Sequence, residues 1–298
     1  MKSGFVAIIG KPNAGKSTLL NALIKQKISI VSWRPQTTRN RITGILTNKD
    51  KDFQLVFLDT PGLHTPKNEL GIFMQNVVKK SLLGIDAVVY VADAGRELDD
   101  KDIEYIAALA GQHRVVVIVN KTDEVTPDKV MSEISKLKNI EKLESVIPTS
   151  ATKGSNLDVL VDELLKLIGD GVQYYPDDMI TDRTTRFLVG EIIREKALKS
   201  LSQEVPHGIG VEVTKFSERK ASEIVDINAD IICEKQSHKA IIIGRDGAML
   251  KRILTAARIE MEHLLETKVF LTAHVKVKED WRDNVSALNQ LGYDKSEL

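Results

Sequence analysis

Eight consecutive residues, Gly10-Lys11-Pro12-Asn13-Ala14-Gly15-Lys16-Ser17, set two glycines, a lysine and a hydroxyl at the spacing G-x-x-x-x-G-K-[ST]. That pattern suits a polyphosphate. The glycines let the backbone bend until several N–H groups point at one anion. Lys16 can set a point charge on the β- and γ-phosphates, and the Ser17 hydroxyl can ligate Mg²⁺. Three further groups could complete such a site. Asp59-Thr60-Pro61-Gly62 offers a carboxylate for Mg²⁺ and a glycine N–H for a γ-phosphate; alone it would read as a turn. Asn120-Lys121-Thr122-Asp123 offers a carboxylate, Asp123, that matches the paired N1–H and amine of guanine. Adenine would leave that carboxylate unpaired. Lys121 can lay its stem over the base, and Asn120 can tie the segment to the phosphate-binding turn. Ser150-Ala151 offers a backbone N–H, at Ala151, for guanine O6. In the polar stretch 32–41, Thr38, preferred over Thr37, could reach Mg²⁺ and act as an order–disorder switch. Lys16, Thr38 and Gly62 are expected to act on the transferred phosphoryl group.

These groups need a scaffold. Apolar, β-branched runs at 5–9, 55–58, 87–91, 115–119 and 146–147 alternate with helical patterns near 16–25, 69–83, 99–110, 127–138 and 156–168. Continuous apolar strands alternating with helices predict an α/β, doubly wound, mostly parallel sheet. Runs 41–46 and 53–58 flank a polar turn and predict an antiparallel hairpin at the sheet edge. The phosphate-binding stretch follows the first strand and leads through Thr18 into a helix, whose positive N-terminal end faces the anion. The other motifs fall at strand ends, where ligands of such folds bind.

At 298 residues the chain predicts two domains, and 42% hydrophobic with 28% charged residues describes a soluble globular protein. No run suits a membrane span. The first strand begins almost at once, leaving no room for a signal peptide, and the single cysteine, Cys233, reads as a buried thiol. A cytoplasmic, monomeric protein is expected. Net charge is zero, and residues 181–298 carry 19 basic and 19 acidic residues, so any nucleic-acid signal must be local.

The expected boundaries are 1–170 for the nucleotide domain, 171–181 for a linker, and 182–298 for a smaller α+β domain with a C-terminal tail from Asp280. The second domain predicts helix 183–201, strand 208–216, strand 222–233, a short helix near 236–242, helix 248–266 and strand 269–278. Ile243-Gly244-Arg245-Asp246-Gly247 joins the two later helices. Gly-x-x-Gly after aliphatics and before a helix is the loop with which KH domains clamp a nucleic-acid backbone. Six basic residues (Lys235, Lys239, Arg245, Lys251, Arg252, Arg258) face one acidic residue within 235–258, a local electrostatic footprint. Lys239, Ile243, Gly244, Arg245, Asp246, Gly247, Lys251 and Arg252 are the expected RNA contacts. Leu250, Leu254, Ala257, Met261 and Leu264 are expected in the core, and Trp281 as a packing anchor.

The motifs in this order resemble P-loop GTPases, and their form resembles the branch that includes Era, MnmE and Der. A GTPase domain followed by a type II KH domain, with Val275-Lys276-Val277-Lys278, Asp280-Trp281-Arg282 and Leu291-Gly292-Tyr293 near the end, resembles the Era family over nearly the whole chain. The resemblance implies a GTPase with Mg²⁺, Ser17, Thr38 and Asp59 serving the metal. It also implies binding of the 3′ region of 16S ribosomal RNA, a role in 30S subunit assembly, and peripheral association with the inner membrane. Asn13 matches a position that in several relatives helps to hold an activating K⁺; as a residue it reads equally as part of a turn. One departure stands out from Ras-like enzymes: Leu63 follows Gly62, where a glutamine would orient the attacking water. Slow hydrolysis without an activator is expected. Alternatives are an RNA-binding chaperone holding GTP structurally, and a tRNA-modifying GTPase, which would need an N-terminal folate-binding domain. GTP is expected to favour the RNA-competent arrangement of the two domains, with reciprocal coupling.

Overall fold

The structure, a computed structural model, describes residues 1–34, 36–202, 205–219 and 223–293. The chain divides into two compact units. The first comprises Met1–Ser29, Thr38–Thr65 and Met74–Asp182; the second comprises Ile30–Thr37, Pro66–Phe73 and Arg183–Leu298.

The first unit is built on β1 (Lys2–Ile9), α1 (Lys16–Ile24), β2 (Ile42–Asn48), β3 (Phe53–Asp59), the part of α2 (Glu69–Lys80) from Met74 on, β4 (Ala87–Asp93), α3 (Asp100–Ala110), β5 (Val115–Asn120), α4 (Pro127–Leu137), β6 (Leu143–Pro148) and α5 (Leu157–Leu167). The strands lie in the order β2-β3-β1-β4-β5-β6. All pair in parallel except β2 with β3, the edge hairpin that the sequence predicts. Strand β5, Val-Val-Val-Ile-Val-Asn, is buried throughout, as a strand covered on both faces must be. Local signals set the helix starts: Asp99 caps α3 by accepting from Asp102 N, and Pro127 opens α4. Segment 171–180 runs along this unit. Gln54 accepts from the backbone N–H groups of Tyr174 and Tyr175, and Ile45 N donates to Ile180 O.

The register sets the chemistry. Ile8 pairs with Asp59, Ile9 with Tyr90, Asp93 with Asn120, and Val119 with Pro148. The carboxyl ends of five strands therefore share one edge. Strand β1 lies between β3 and β4, so the winding reverses where the phosphate-binding turn leaves it, the switch point at which such sheets bind ligands.

The second unit contains α6 (Thr185–Ser200), β7 (Gly210–Glu218), β8 (Ile224–Cys233), α7 (Gln236–Ile243), α8 (Ala248–Leu265), β9 (Lys268–Val277) and α9 (Val285–Gln290). Strand β8 is central, antiparallel to β7 and parallel to β9. The expected start of its second strand, Ser222, lies outside the described residues. Val189, Ile193 and Ala197 of α6 and Ile253, Ala257 and Met261 of α8 pack on one face of the sheet. Here the expected stripe needs correction: Ile253 is wholly buried at its centre, and Leu254 is not part of the cluster. The core-facing row of α8 is thus buried Ile253, Ala257 and Met261, flanked by partly buried Leu250 and Leu264. The tail from Asp280 is likewise more than a tail. It folds into a short 3₁₀ turn and α9; Trp281 is fully buried, donates from Nε1 to Gly208 O at 2.9 Å, and stacks on Tyr293.

Candidate functional site

At the switch point Gly10–Ser17 forms the turn between β1 and α1. Gly15 has φ 99°, and a Cβ there would lie 2.2 Å from Asn120 Nδ2, so only glycine fits. Asn120 donates from Nδ2 to Ala14 O at 2.9 Å, which makes it the tie expected between the β5 end and the turn. Lys16 is buried and donates to Gly10 O (2.9 Å) and Lys11 O (3.0 Å). Burial pushes its ammonium down to about 8, partly offset by Asp59. The Lys11 side chain turns away, to Asp102 (2.7 Å) and Asp99 (3.3 Å) at the start of α3. Only its backbone is left to serve a phosphate. Asn13 adopts φ 65°, consistent with a turn position.

Ser17, Thr38 and Asp59 converge. Ser17 Oγ lies 2.8 Å from Thr38 Oγ1 and donates to Asp59 Oδ2 at 2.6 Å. A residue that the motifs do not reveal, Ser29, also donates to Asp59 Oδ2, at 3.0 Å. Asp59 is wholly buried, which raises its carboxyl above the ordinary range despite those donors and Lys16. Its Oδ1 is buried without a hydrogen-bond partner among the described residues. No cluster of three or more His, Cys, Asp or Glu occurs among the described residues. Two hydroxyls and one carboxylate with an open oxygen fit a hard, oxygen-seeking cation such as Mg²⁺.

Gly62 rests on the phosphate-binding turn: a Cβ there would meet Pro12 N and Cα at 2.8 Å. Leu63 N donates to Gly10 O at 3.1 Å. Thr60 is turned inward and donates to Ile8 O at 2.8 Å, so its hydroxyl holds the strands together.

Beyond β5, Asp123 accepts from Ser150 Oγ (2.6 Å) and Thr152 Oγ1 (3.3 Å). The Ser150 bond holds the carboxyl below its ordinary value, so it remains an acceptor for paired donors. Lys121 pairs with Asp93 at 2.6 Å, an orienting partner absent from the motif. Ala151 N, expected to meet guanine O6, donates to Asn120 Oδ1 at 3.0 Å. That N–H is therefore shared with a side-chain acceptor. Short polar motifs specify groups on one segment. Ser29, Asp93 and Asp102 join through tertiary packing, and no local signal marks them.

In the second unit, Gly244-Arg245-Asp246-Gly247 links α7 to α8. Gly244 has φ 73°, and a Cβ would meet Met249 N at 2.9 Å; Gly247 opens α8 with φ 76°. Arg245, Asp246, Lys251 and Arg252 are exposed, Lys239 and Ile243 half-buried, and Ile241 is 44% exposed beside them. The turn and the first turn of α8 thus present backbone, cations and an aliphatic surface together, the combination that suits a single-stranded nucleic acid.

Two family models match the chain: one described as 50S ribosome-binding GTPase over residues 5–121, the other as KH domain over residues 204–282. The GTPase Era of Ruminiclostridium cellulolyticum is 46% identical over 293 residues, covering 98% of this chain and 97% of the relative. That of Clostridium botulinum strain Okra is 47% identical over 295 residues, 99% of each. Among solved structures, a point variant of Aquifex aeolicus Era bound to GDP·AlF₄⁻ superposes with a TM-score of 0.93, at 39% identity over 98% of this chain and 99% of that one. Era in complex with MgGDPNP and nucleotides 1506–1542 of 16S ribosomal RNA superposes with a TM-score of 0.94, also at 39% identity and with the same coverage. Identity of this extent, across both the nucleotide-binding edge and the Gly-x-x-Gly unit, establishes that the chain belongs to the GTPase Era family.

Proposed function

We propose that this GTPase binds the 3′ region of 16S ribosomal RNA through its KH domain and acts as a nucleotide-controlled switch in assembly of the 30S subunit. Residues 1–170 would carry the nucleotide, 182–298 the RNA, with 171–181 joining them. The observation that carries the reading is the meeting of Ser17, Thr38 and Asp59 at one point beside Lys16. Thr38 lies outside the phosphate-binding turn and meets it through the Ser17 hydroxyl, so the state of the nucleotide can govern the loop that bears it.

Ser17, Thr38 and Asp59 would hold Mg²⁺, which supplies charge neutralisation at the β- and γ-phosphates. Lys16 adds a cation whose burial makes an anionic partner strongly favourable. Gly62 N–H can donate to a γ-phosphate oxygen, and Asp123 accepts the guanine donors. Lys239, Ile243, Gly244, Arg245, Asp246, Gly247, Lys251 and Arg252 would contact RNA, through backbone and charge at the Gly-x-x-Gly turn and through aliphatic surface for the bases. If GTP tightens RNA binding, RNA must tighten GTP binding by the same factor.

The test is single-turnover GTP hydrolysis by the full chain, in K⁺ and in Na⁺, with and without an RNA matching the 3′ end of 16S ribosomal RNA. Stimulation by that RNA, with RNA affinity higher in GTP than in GDP, is the expected result. Equal RNA affinity with both nucleotides would sink the switch. Faster hydrolysis in K⁺ would assign Asn13 a share in holding that ion. Among the described residues no helix is long and apolar enough to cross a membrane. A cytoplasmic monomer that meets the inner membrane only peripherally is the proposed state, to be checked by light scattering and by flotation with anionic vesicles.

A further inference from the structure

Residue 63 is leucine, and it packs against the core of the first unit with Val88, Tyr90 and their neighbours. It is partly buried and has no group for water. The next residue has such a group. His64 Nδ1 lies 2.8 Å from Gly62 O. A carbonyl only accepts, so Nδ1 carries the hydrogen and Nε2 is left as an acceptor. Nε2 is buried and has no hydrogen-bond partner among the described residues. A buried acceptor without a donor forfeits its hydration and gains nothing in return. Such an atom calls for a donor from outside the chain. Gly62, to which the ring is fixed, rests on Pro12 of the phosphate-binding turn, and Leu63 N is tied to Gly10 O. The backbone that carries the ring is therefore held by two contacts against the segment that would carry the γ-phosphate.

We propose that His64 orients the attacking water, taking the place that Leu63 leaves. Nε2 accepts a hydrogen bond from one O–H of the water. The water oxygen forms the new bond to the γ-phosphorus. The bond from that phosphorus to the β–γ bridging oxygen breaks, and its electron pair leaves with GDP. The second water proton passes to a γ-phosphate oxygen. No other oxidant, reductant or co-reactant is required. The inference rests on the nucleotide site proposed above, and nucleotide affinity measured on the same samples separates failure of one from failure of the other.

The experiment compares the full-length protein with His64→Ala and His64→Gln in single-turnover hydrolysis of GTP with Mg²⁺. Binding of a non-hydrolysable GTP analogue and of GDP with aluminium fluoride is measured alongside. Orientation by a positioned acceptor contributes on the order of 10²-fold to rate. His64→Ala should slow hydrolysis about 10²-fold, leave GTP-analogue affinity within about twofold, and weaken the aluminium fluoride complex. His64→Gln, whose amide oxygen can accept at similar reach, should recover about tenfold or more of the loss. Hydrolysis by His64→Ala at the parent rate would overturn the proposal. So would a His64→Gln variant as slow as His64→Ala with analogue binding intact, since the ring would then serve only to shape the turn.

Discussion

The molecule carries two glycine-bearing turns that each open a helix and are each expected to meet phosphate, yet they are built in opposite ways. Around Gly15 every neighbour is fixed: Asn120 fills the space a side chain would need, Lys16 is buried, and Asp59 is closed in by two hydroxyls. Around Gly247 no described residue other than its chain neighbours comes within 4 Å of where a side chain would begin, and Arg245, Lys251 and Arg252 are exposed. The first turn suits one small ligand gripped by a few desolvated groups. The second suits a polymer followed by many weak, screened contacts. Loss of a single group should therefore be severe in one and graded in the other.

The sharpest way to test this contrast is Lys16→Ala. Removing one member of a buried charged site should weaken GTP and GDP binding by on the order of 10²–10³-fold, read by calorimetry, with RNA affinity in the nucleotide-free protein unchanged. Asp123→Asn comes next. It should exchange guanine for xanthine preference by about 10²-fold, measured by competition between GTP and XTP; unchanged selectivity would remove Asp123 from base recognition. On the exposed side, Gly247→Asp sets a carboxylate beside the expected RNA backbone. RNA affinity should fall about tenfold while nucleotide affinity holds. The mildest change is Lys251→Ala. It should cost RNA affinity a few-fold and lower the slope of log affinity against log salt by about 0.7. If instead Lys251→Ala matched Lys16→Ala in severity, the contrast between the two turns would be wrong.

What could be read beforehand follows the same division. The strands of the first sheet and the motifs at their ends are legible because each motif sits on one segment, and its backbone conformation and side-chain chemistry are local. The tie from Asn120 to the phosphate-binding turn spans 106 residues and could be assigned only because the motif that carries Asn120 implies its partner. The groups that tune those motifs are not legible. Ser29 reaches Asp59, Asp93 holds Lys121, and Asp102 draws Lys11 aside, each across many residues of sequence. His64 reads in the sequence as an ordinary loop residue; the orientation of its ring is what gives it chemistry. The misplaced core position in α8 has a simpler cause. Leu254 and Ile253 are both aliphatic, helical spacing admits either, and only the sheet decides which one faces inward. Helix α9 spans six residues, too few for periodicity to show.

The chain has two tryptophans, and they live in different worlds. Trp281 is sealed in the second unit with its indole N–H bound to Gly208, whereas Trp33, with Arg34 over its ring, is 65% exposed and lies five residues before Thr38. The protein thus contains two native optical probes that a soluble quencher should tell apart. Emission that iodide cannot reach reports whether the C-terminal fold is intact. Emission that it can reach reports on the stretch leading to Thr38, so the loading and turnover of nucleotide should be visible without any label.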